Sequence, residues 1–291
     1  MAVIALAGNP NCGKTTLYNT LTGTRQHVGN WPGVTVEKKE GVFKYDGLEY
    51  TVVDLPGTYS LGAYSEDEIV ARNFIIGENP NVVINVVDGT NLERNLYLTT
   101  QLIEMGTNII IALNMIDEVK EKNIVINTDT LSKALGVTMV STSAAKKIGI
   151  DKLVVKAIST IDESKTIVNN ISYGEIIDSE IEKLSTLIDN NCNNINYPSR
   201  WIALKLLEGD EFIYNQVVDC CSSHQLIDEI HCSIDKITST CGDPSILIVD
   251  KRYEFINNII KESVKKPDMN LETTSDKIDK LLSKERCLSV P

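Results

Sequence analysis

At 291 residues the chain is long enough for about two domains, and an apolar share of 42% suffices for packed cores. A net charge of −12 argues against a nucleic-acid-binding surface, where a basic patch is required. No apolar stretch reaches the ~18 residues of a membrane-spanning helix, and residues 1–7 lack the basic start and cleavage site of a signal peptide.

The acidity is uneven: −4 over residues 1–162, −9 over 163–262 and +1 over 263–291. The seven cysteines, an odd number at irregular spacing, read as free thiols of a reduced, cytosolic protein.

The apolar run 2–7 predicts a buried strand. It leads into Gly8-Asn9-Pro10-Asn11-Cys12-Gly13-Lys14-Thr15, which fits G-x-x-x-x-G-K-[ST], and Thr16-Leu17-Tyr18-Asn19-Thr20-Leu21 follows as a helix. Strand, glycine loop and helix form the context in which backbone N–H groups and the helix N-terminus cradle phosphate oxygens. Lys14 is placed to reach the β- and γ-phosphates, and the Thr15 hydroxyl to hold Mg²⁺.

Further strand-like runs stand at 49–54, 82–87, 108–113 and 137–141, with helical patterns between most of them. That alternation predicts a mostly parallel sheet covered by helices on both faces. Thr35, in Pro32-Gly33-Val34-Thr35-Val36, lies where a mobile threonine completes the metal shell. Asp54-Leu55-Pro56-Gly57 offers a carboxylate to Mg²⁺ through water and a glycine N–H to the γ-phosphate. In Asn114-Met115-Ile116-Asp117, the two carboxylate oxygens of Asp117 match the N1–H and exocyclic amine of guanine; adenine has no such donor pair. Ser143-Ala144 can close over the base through a backbone N–H to guanine O6.

Four such motifs, in this order at strand ends, resemble the small GTPases of the translation-factor-related class, so the nucleotide is expected to be GTP or GDP. The expected contact set is Gly8 to Thr16, Gly33, Thr35, Asp54, Gly57, Asn114, Met115, Asp117, Ser143 and Ala144. Asn11, Lys14, Thr35 and Gly57 are the expected catalytic groups, and Thr15, Thr35 and Asp54 the Mg²⁺ ligands. Where many regulatory GTPases carry a water-orienting Gln, this chain has Thr58, which is too short for that task. No arginine other than Arg25 is evident near the loop. The Asn11 amide oxygen is a candidate to hold a monovalent cation beside the phosphates; the alternative is that it only stabilises the turn.

Gly8-Asn-Pro-Asn-Cys-Gly-Lys-Thr-Thr-Leu-Tyr-Asn19, Val28-Gly-Asn-Trp-Pro-Gly-Val-Thr-Val-Glu37, Asp54-Leu-Pro-Gly-Thr-Tyr-Ser-Leu61 and Val86-Val-Asp-Gly-Thr-Asn-Leu-Glu-Arg-Asn-Leu96 narrow the resemblance to the ferrous iron transport protein B family. It covers residues 1–162 at motif level. It implies a slow cytosolic GTPase, then a helical domain that affects GDP affinity, then a polytopic membrane domain carrying Fe²⁺. It also implies K⁺ held by Asn11 and by backbone carbonyls around Gly29 to Trp31. As partners it implies the chain's own membrane-spanning permease part, small cytosolic accessory proteins of iron uptake and a homo-oligomer, with no nucleic acid. The place implied is the cytoplasmic face of the bacterial inner membrane. Cys12 departs from the usual Val, Ala or Ser and is expected to pack under the loop.

From about residue 163 helical periodicity takes over. Helices are expected over 173–189, 198–207, 224–239 and 244–264, the last opening at Asp243-Pro244, with a polar loop at 190–196. This reads as an all-α bundle, so the boundaries are 1–162 for the GTPase domain, 163–264 for the helical domain and 265–291 for a juxtamembrane tail. The tail resembles the family's segment before its first membrane helix. Cys220, Cys221, His224, His231 and Cys232 fit no zinc spacing and read as buried helix positions and solvated histidines. Glu66, Asp67 and Glu68 are candidates to touch Fe²⁺ or the attacking water, but read first as a solvated acidic helix start, and Trp31 reads as a loop plug. Two rivals remain open: a soluble ribosome- or RNA-associated GTPase, which lacks its basic domain here, and a nucleotide-gated interaction module without useful hydrolysis.

Overall fold

The computed structural model describes residues 1–23, 26–62, 65–162, 171–192, 197–220 and 224–267. The first half runs β1 (Ala2–Gly8), α1 (Lys14–Thr22), β2 (Gln26–Asn30), β3 (Glu37–Tyr45), β4 (Leu48–Asp54), α2 (Glu66–Gly77), β5 (Val82–Asp88), α3 (Leu92–Glu104) and β6 (Ile109–Asn114). It continues with α4 (Ile116–Glu121), β7 (Val125–Ile126), α5 (Thr128–Leu135), β8 (Thr138–Ser141) and α6 (Ile150–Asp162). The helical half holds α7 (Glu175–Asn191), α8 (Ser199–Leu207), α9 (Glu211–Cys220), α10 (His224–Thr240) and α11 (Pro244–Ser263), and closes on β9 (Val264–Lys265).

Seven strands form one sheet in the order β2-β3-β4-β1-β5-β6-β8. β4, β1, β5, β6 and β8 are parallel, and β2 and β3 add an antiparallel edge. Alternate residues enter two cores. Ala5, Ala7, Val53, Val83 and Ile111 meet α2, α3 and α5, whereas Ile4, Leu6, Val52, Ile84 and Ile110 meet Leu17 and Tyr18 of α1 and Leu153 of α6. Burial on both faces is why these strands read as unbroken apolar runs. β1 lies between β4 and β5, so the strand order reverses there, and the crevice at such a switch point is where ligands bind in α/β sheets.

The edge strand β2 and its neighbour β3 lie outside the expected runs. β2 is exposed or half-buried throughout, and β3 (EKKEGVFKY) buries only Gly41 and Phe43. The charged residues of β3 suit its largely solvated faces and erase the alternation that would betray it. α9 was likewise unannounced, because it buries only Ile213 and Val217. The start of α11 is as expected: the Asp243 side chain accepts from the Ser245 N–H at 2.8 Å, with Pro244 in the first turn.

The helical half shares the core cluster of one sheet face. Two buried ionic groups join the halves. Arg252, fully buried, donates Nε and Nη2 to the two Glu104 carboxylate oxygens at 2.7 and 2.8 Å and Nη1 to Glu208, while the Tyr173 hydroxyl also donates to Glu104. Arg72 of α2 donates to Asp210 at 2.8 Å. β7 and β9 pair antiparallel, so the chain returns from α11 to the first half.

Three cysteine expectations change. Cys220 and Cys232 are exposed, and Cys192 is disulfide-bonded, for which the odd, irregular cysteine set carried no signal. Among the described residues no His, Cys, Asp or Glu group could hold a metal, and no helix is long and apolar enough to cross a membrane. Arg25, Cys221, residues 193–196 of the polar loop and the tail from 268 onward lie outside the described residues.

Candidate functional site

The loop after β1 is tight. The Cys12 N–H donates to the Asn9 carbonyl at 3.3 Å, Asn11 has φ 66° and Gly13 φ 87°. A Cβ on Gly13 would run into the Asn114 amide nitrogen, so both backbone angle and space demand glycine there. Cys12 is 1% exposed, and burial pushes its thiol up to about 11, so at neutral pH it is a small apolar plug beneath the loop.

Asn114, buried at the end of β6, is the strut of the site. Its Nδ2 donates to the Cys12 carbonyl at 2.9 Å, and its Oδ1 accepts from the Ala144 N–H at 2.9 Å and the Thr142 hydroxyl at 3.3 Å. One side chain thus ties the phosphate loop to both base-side segments. Met115 follows in the left-handed region at φ 59° and caps α4, whose first turn carries Asp117. Hydrogen bonding from Ser143 and from Lys146, whose Nζ lies 3.1 Å from Oδ2, holds the Asp117 carboxyl below its usual range. The Ser143 N–H donates to the Ile148 carbonyl at 3.0 Å and the Ala144 N–H is taken by Asn114, so neither proposed O6 donor is free in this arrangement. The Ala145 N–H has no acceptor among the described bonds of that turn.

At the phosphate end the buried Lys14 Nζ is paired with Asp54. Both line a cleft of about 310 Å³ with Thr15, Gly57 and Asp67. Gly57 packs on the Pro10 backbone, where a Cβ would come within 3.4 Å, and the Thr58 N–H donates to the Gly8 carbonyl at 3.2 Å. The Thr58 hydroxyl is spent on the Ser60 carbonyl at 2.6 Å. Ser65 caps α2 by accepting from the Glu68 N–H at 3.2 Å.

Thr35 itself does not line this cleft, although Val36, Glu37 and Lys39, which follow it, do. β2 and β3 pair Gly29 with Lys38 and Asn30 with Glu37. Trp31 is 8% exposed, edge-on to Phe74 with centroids 5.3 Å apart, and the Lys38 ammonium lies 5.1 Å from its ring centroid. Trp31 lines a cavity of about 430 Å³ with Val3, Thr51 and Asn73, groups of the sheet and α2 rather than of the phosphate loop. Thr35 is exposed and its hydroxyl donates to Glu66 at 3.4 Å. The structure therefore brings together Gly8 to Thr16, Asp54, Gly57, Asn114, Met115, Asp117, Ser143 and Ala144, but not Gly29, Trp31, Gly33 or Thr35.

Sequence reasoning missed three participants. Asp67 read as a helix-start charge yet lines the cleft. Lys146 shares Asp117. Arg94 of α3 accepts at its carbonyl from the Asn9 amide at 3.2 Å and stacks its guanidinium on Tyr59. The acidic helix start marked the position of the first but not its place at the cleft; nothing in spacing pointed to the other two.

Residues 2–157 match the family described as "Ferrous iron transport protein B", and residues 173–265 match "FeoB cytosolic helical domain". The chain is 45% identical over 284 residues to the "Fe(2+) transporter FeoB" of Methanocaldococcus jannaschii, with 97% of this chain and 42% of that relative covered. The chain thus spans less than half the length of the curated relatives it matches. Among solved structures, the GDP-bound A143S mutant of the S. thermophilus FeoB G-domain superposes with a TM-score of 0.84 at 39% identity, covering 91% of this chain and all of that one. The GMPPNP form of the T. maritima FeoB cytosolic domain does so at 0.80 and 38%, covering 91% and 100%. With both halves matched, and the phosphate loop, the D-x-x-G and the N-x-x-D gathered at the carboxyl ends of β1, β4 and β6, the chain belongs to the ferrous iron transport protein B family.

Proposed function

We propose that this chain binds GTP and GDP, hydrolyses GTP slowly, and serves as the cytosolic nucleotide-binding part of a longer Fe²⁺ transporter, coupling to or gating uptake through its permease part. The observation that carries the reading is the Asn114 strut, which fixes the phosphate loop and the base-side loops at one spacing. Gly8 to Thr16 would wrap the phosphates, Lys14 would face the β- and γ-phosphates, and Asp117 would grip guanine. Thr15 and Asp54 supply oxygen donors that suit a hard cation, and Thr35 would join them once its segment moves in. Bound there, Mg²⁺ would neutralise charge on the β- and γ-oxygens. For K⁺ the donors are Asn11 and the carbonyls of Gly29 and Trp31, which meet only if the β2–β3 edge is released. Gly57 would present its N–H to the γ-phosphate. The ribosome-linked alternative finds no support, since the helical half belongs to the same family as the first.

Asp117→Asn tests the assignment. Losing a carboxylate that accepts two bonds should weaken GTP about ten- to hundredfold and favour xanthosine triphosphate, whose 2-oxo group needs a donor. Titration of the variant with both nucleotides measures this; wild-type GTP affinity would overturn the guanine reading.

A further inference from the structure

Arg94 touches both the phosphate loop and the segment that follows Gly57. Its carbonyl receives Nδ2 of Asn9, a loop residue only 2% exposed, at 3.2 Å. Its guanidinium carbon lies 4.7 Å from the ring centroid of Tyr59. Tyr59 directly follows Gly57 and Thr58, and that segment leans on the loop through the Thr58 N–H to Gly8 bond and the Gly57 contact with Pro10. The Thr58 side chain adds nothing across the gap, because its hydroxyl turns back to Ser60. The other described arginines are committed to carboxylates: Arg72 to Asp210, Arg200 to Asp178 and Arg252 to Glu104 and Glu208. Arg94 has no carboxylate partner among the described residues.

We propose that Arg94 is a positioning residue for hydrolysis. Its planar guanidinium, anchored through its own main chain to the phosphate loop, holds Tyr59 and with it keeps the Gly57 N–H aimed at the transferred phosphoryl group. This rests on the GTPase reading above. It assigns to a stacking cation in α3 part of the ordering that a glutamine after the D-x-x-G would otherwise supply.

The test is a double-mutant cycle on the whole chain, reading steady-state phosphate release, GDP affinity and melting temperature. An exposed cation–π contact is worth about three- to fivefold in rate. Arg94→Ala and Tyr59→Leu should each lower kcat by about that factor, with GDP affinity within about twofold of wild type and no change in melting temperature. The double variant should lose no more than either single one, because both break the same contact. Tyr59→Phe, which retains the ring, should recover the rate lost in Tyr59→Leu. Arg94→Lys, which keeps charge without the planar face, should fall between wild type and Arg94→Ala. Wild-type kcat in Arg94→Ala, or losses that multiply in the double variant, would overturn the role of Arg94. A wild-type chain that releases no phosphate overturns the hydrolysis reading itself, a result distinct from an active wild type matched by Arg94→Ala.

Discussion

Lys14 and Asp54 hold each other in a buried pair at the mouth of the cleft. A phosphate must take the lysine from the carboxylate, which then becomes available to a metal. Removing the lysine leaves that carboxylate buried without its cation and deprives the phosphates of their main counter-charge. Lys14→Ala should therefore lose about 2–5 kcal/mol of GDP binding. Thr35 behaves differently, because it stands outside the cleft beside Glu66. Thr35→Ala should bind GDP within about twofold of wild type and hydrolyse GTP more slowly, since a segment ordered by the γ-phosphate and metal contributes only in that state. Calorimetric GDP titration and phosphate release on both variants check this pair; equal GDP affinity in Lys14→Ala or undiminished turnover in Thr35→Ala would contradict it.

Among elements, the joint between α3, α8 and α11 is the most exposed to perturbation. Glu104 receives both arms of Arg252 and the Tyr173 hydroxyl. Removing one partner of a buried pair strands the other charge, so Glu104→Ala should cost about 3–5 kcal/mol in urea unfolding. Burial pushes the Glu208 carboxyl up, but Lys205 and Arg252 outweigh it and hold it at about 2 against an ordinary value of 4.5. A depressed carboxyl stabilises fully above its unfolded value, and that contribution drains away as pH falls from about 5 toward 2. The melting temperature of the wild type should fall more steeply over that window than that of Glu208→Gln; parallel curves would contradict the assignment. The parallel strands were legible in sequence because burial on both faces makes them continuous apolar runs. Glu37 to Tyr45 was illegible because its charges lie on solvated strand faces, and α9 because Ile213 and Val217 alone mark its buried side. Within the site, glycine, lysine and carboxylate positions were legible because backbone geometry demands them at fixed spacing. The Arg94 stack and the Asn114 strut join residues 35 and 102 positions apart, which no local pattern encodes.

For the molecule as a whole, the base end is assembled and the edge of the sheet that carries Gly29 to Thr35 is engaged elsewhere. Activation by a monovalent cation would then require that edge to peel from Phe74 and fold over Asn11. Hydrolysis should be faster in K⁺ than in Na⁺ at equal ionic strength, by about tenfold or more if the ion takes the place of an arginine finger worth ~10³. Asn11→Ala should erase the difference and leave GDP affinity within about twofold. Equal wild-type rates in the two salts, or a K⁺ effect that survives the substitution, would rule the ion site out.

The seating of Trp31 gives the protein an optical signature. Of its two tryptophans, Trp201 is 1% exposed and stacked on Tyr197 at 5.2 Å within the helical half, a fixed lamp. Trp31 is largely buried between Phe74 and the Lys38 ammonium, its indole N–H without a hydrogen-bond partner among the described residues. When the edge lifts, that indole passes from a buried, cation-flanked surrounding into water, while Trp201 stays where it is. The intrinsic emission of the unmodified chain is therefore a single-residue clock for the departure of this segment, separable in time from the chemistry that follows.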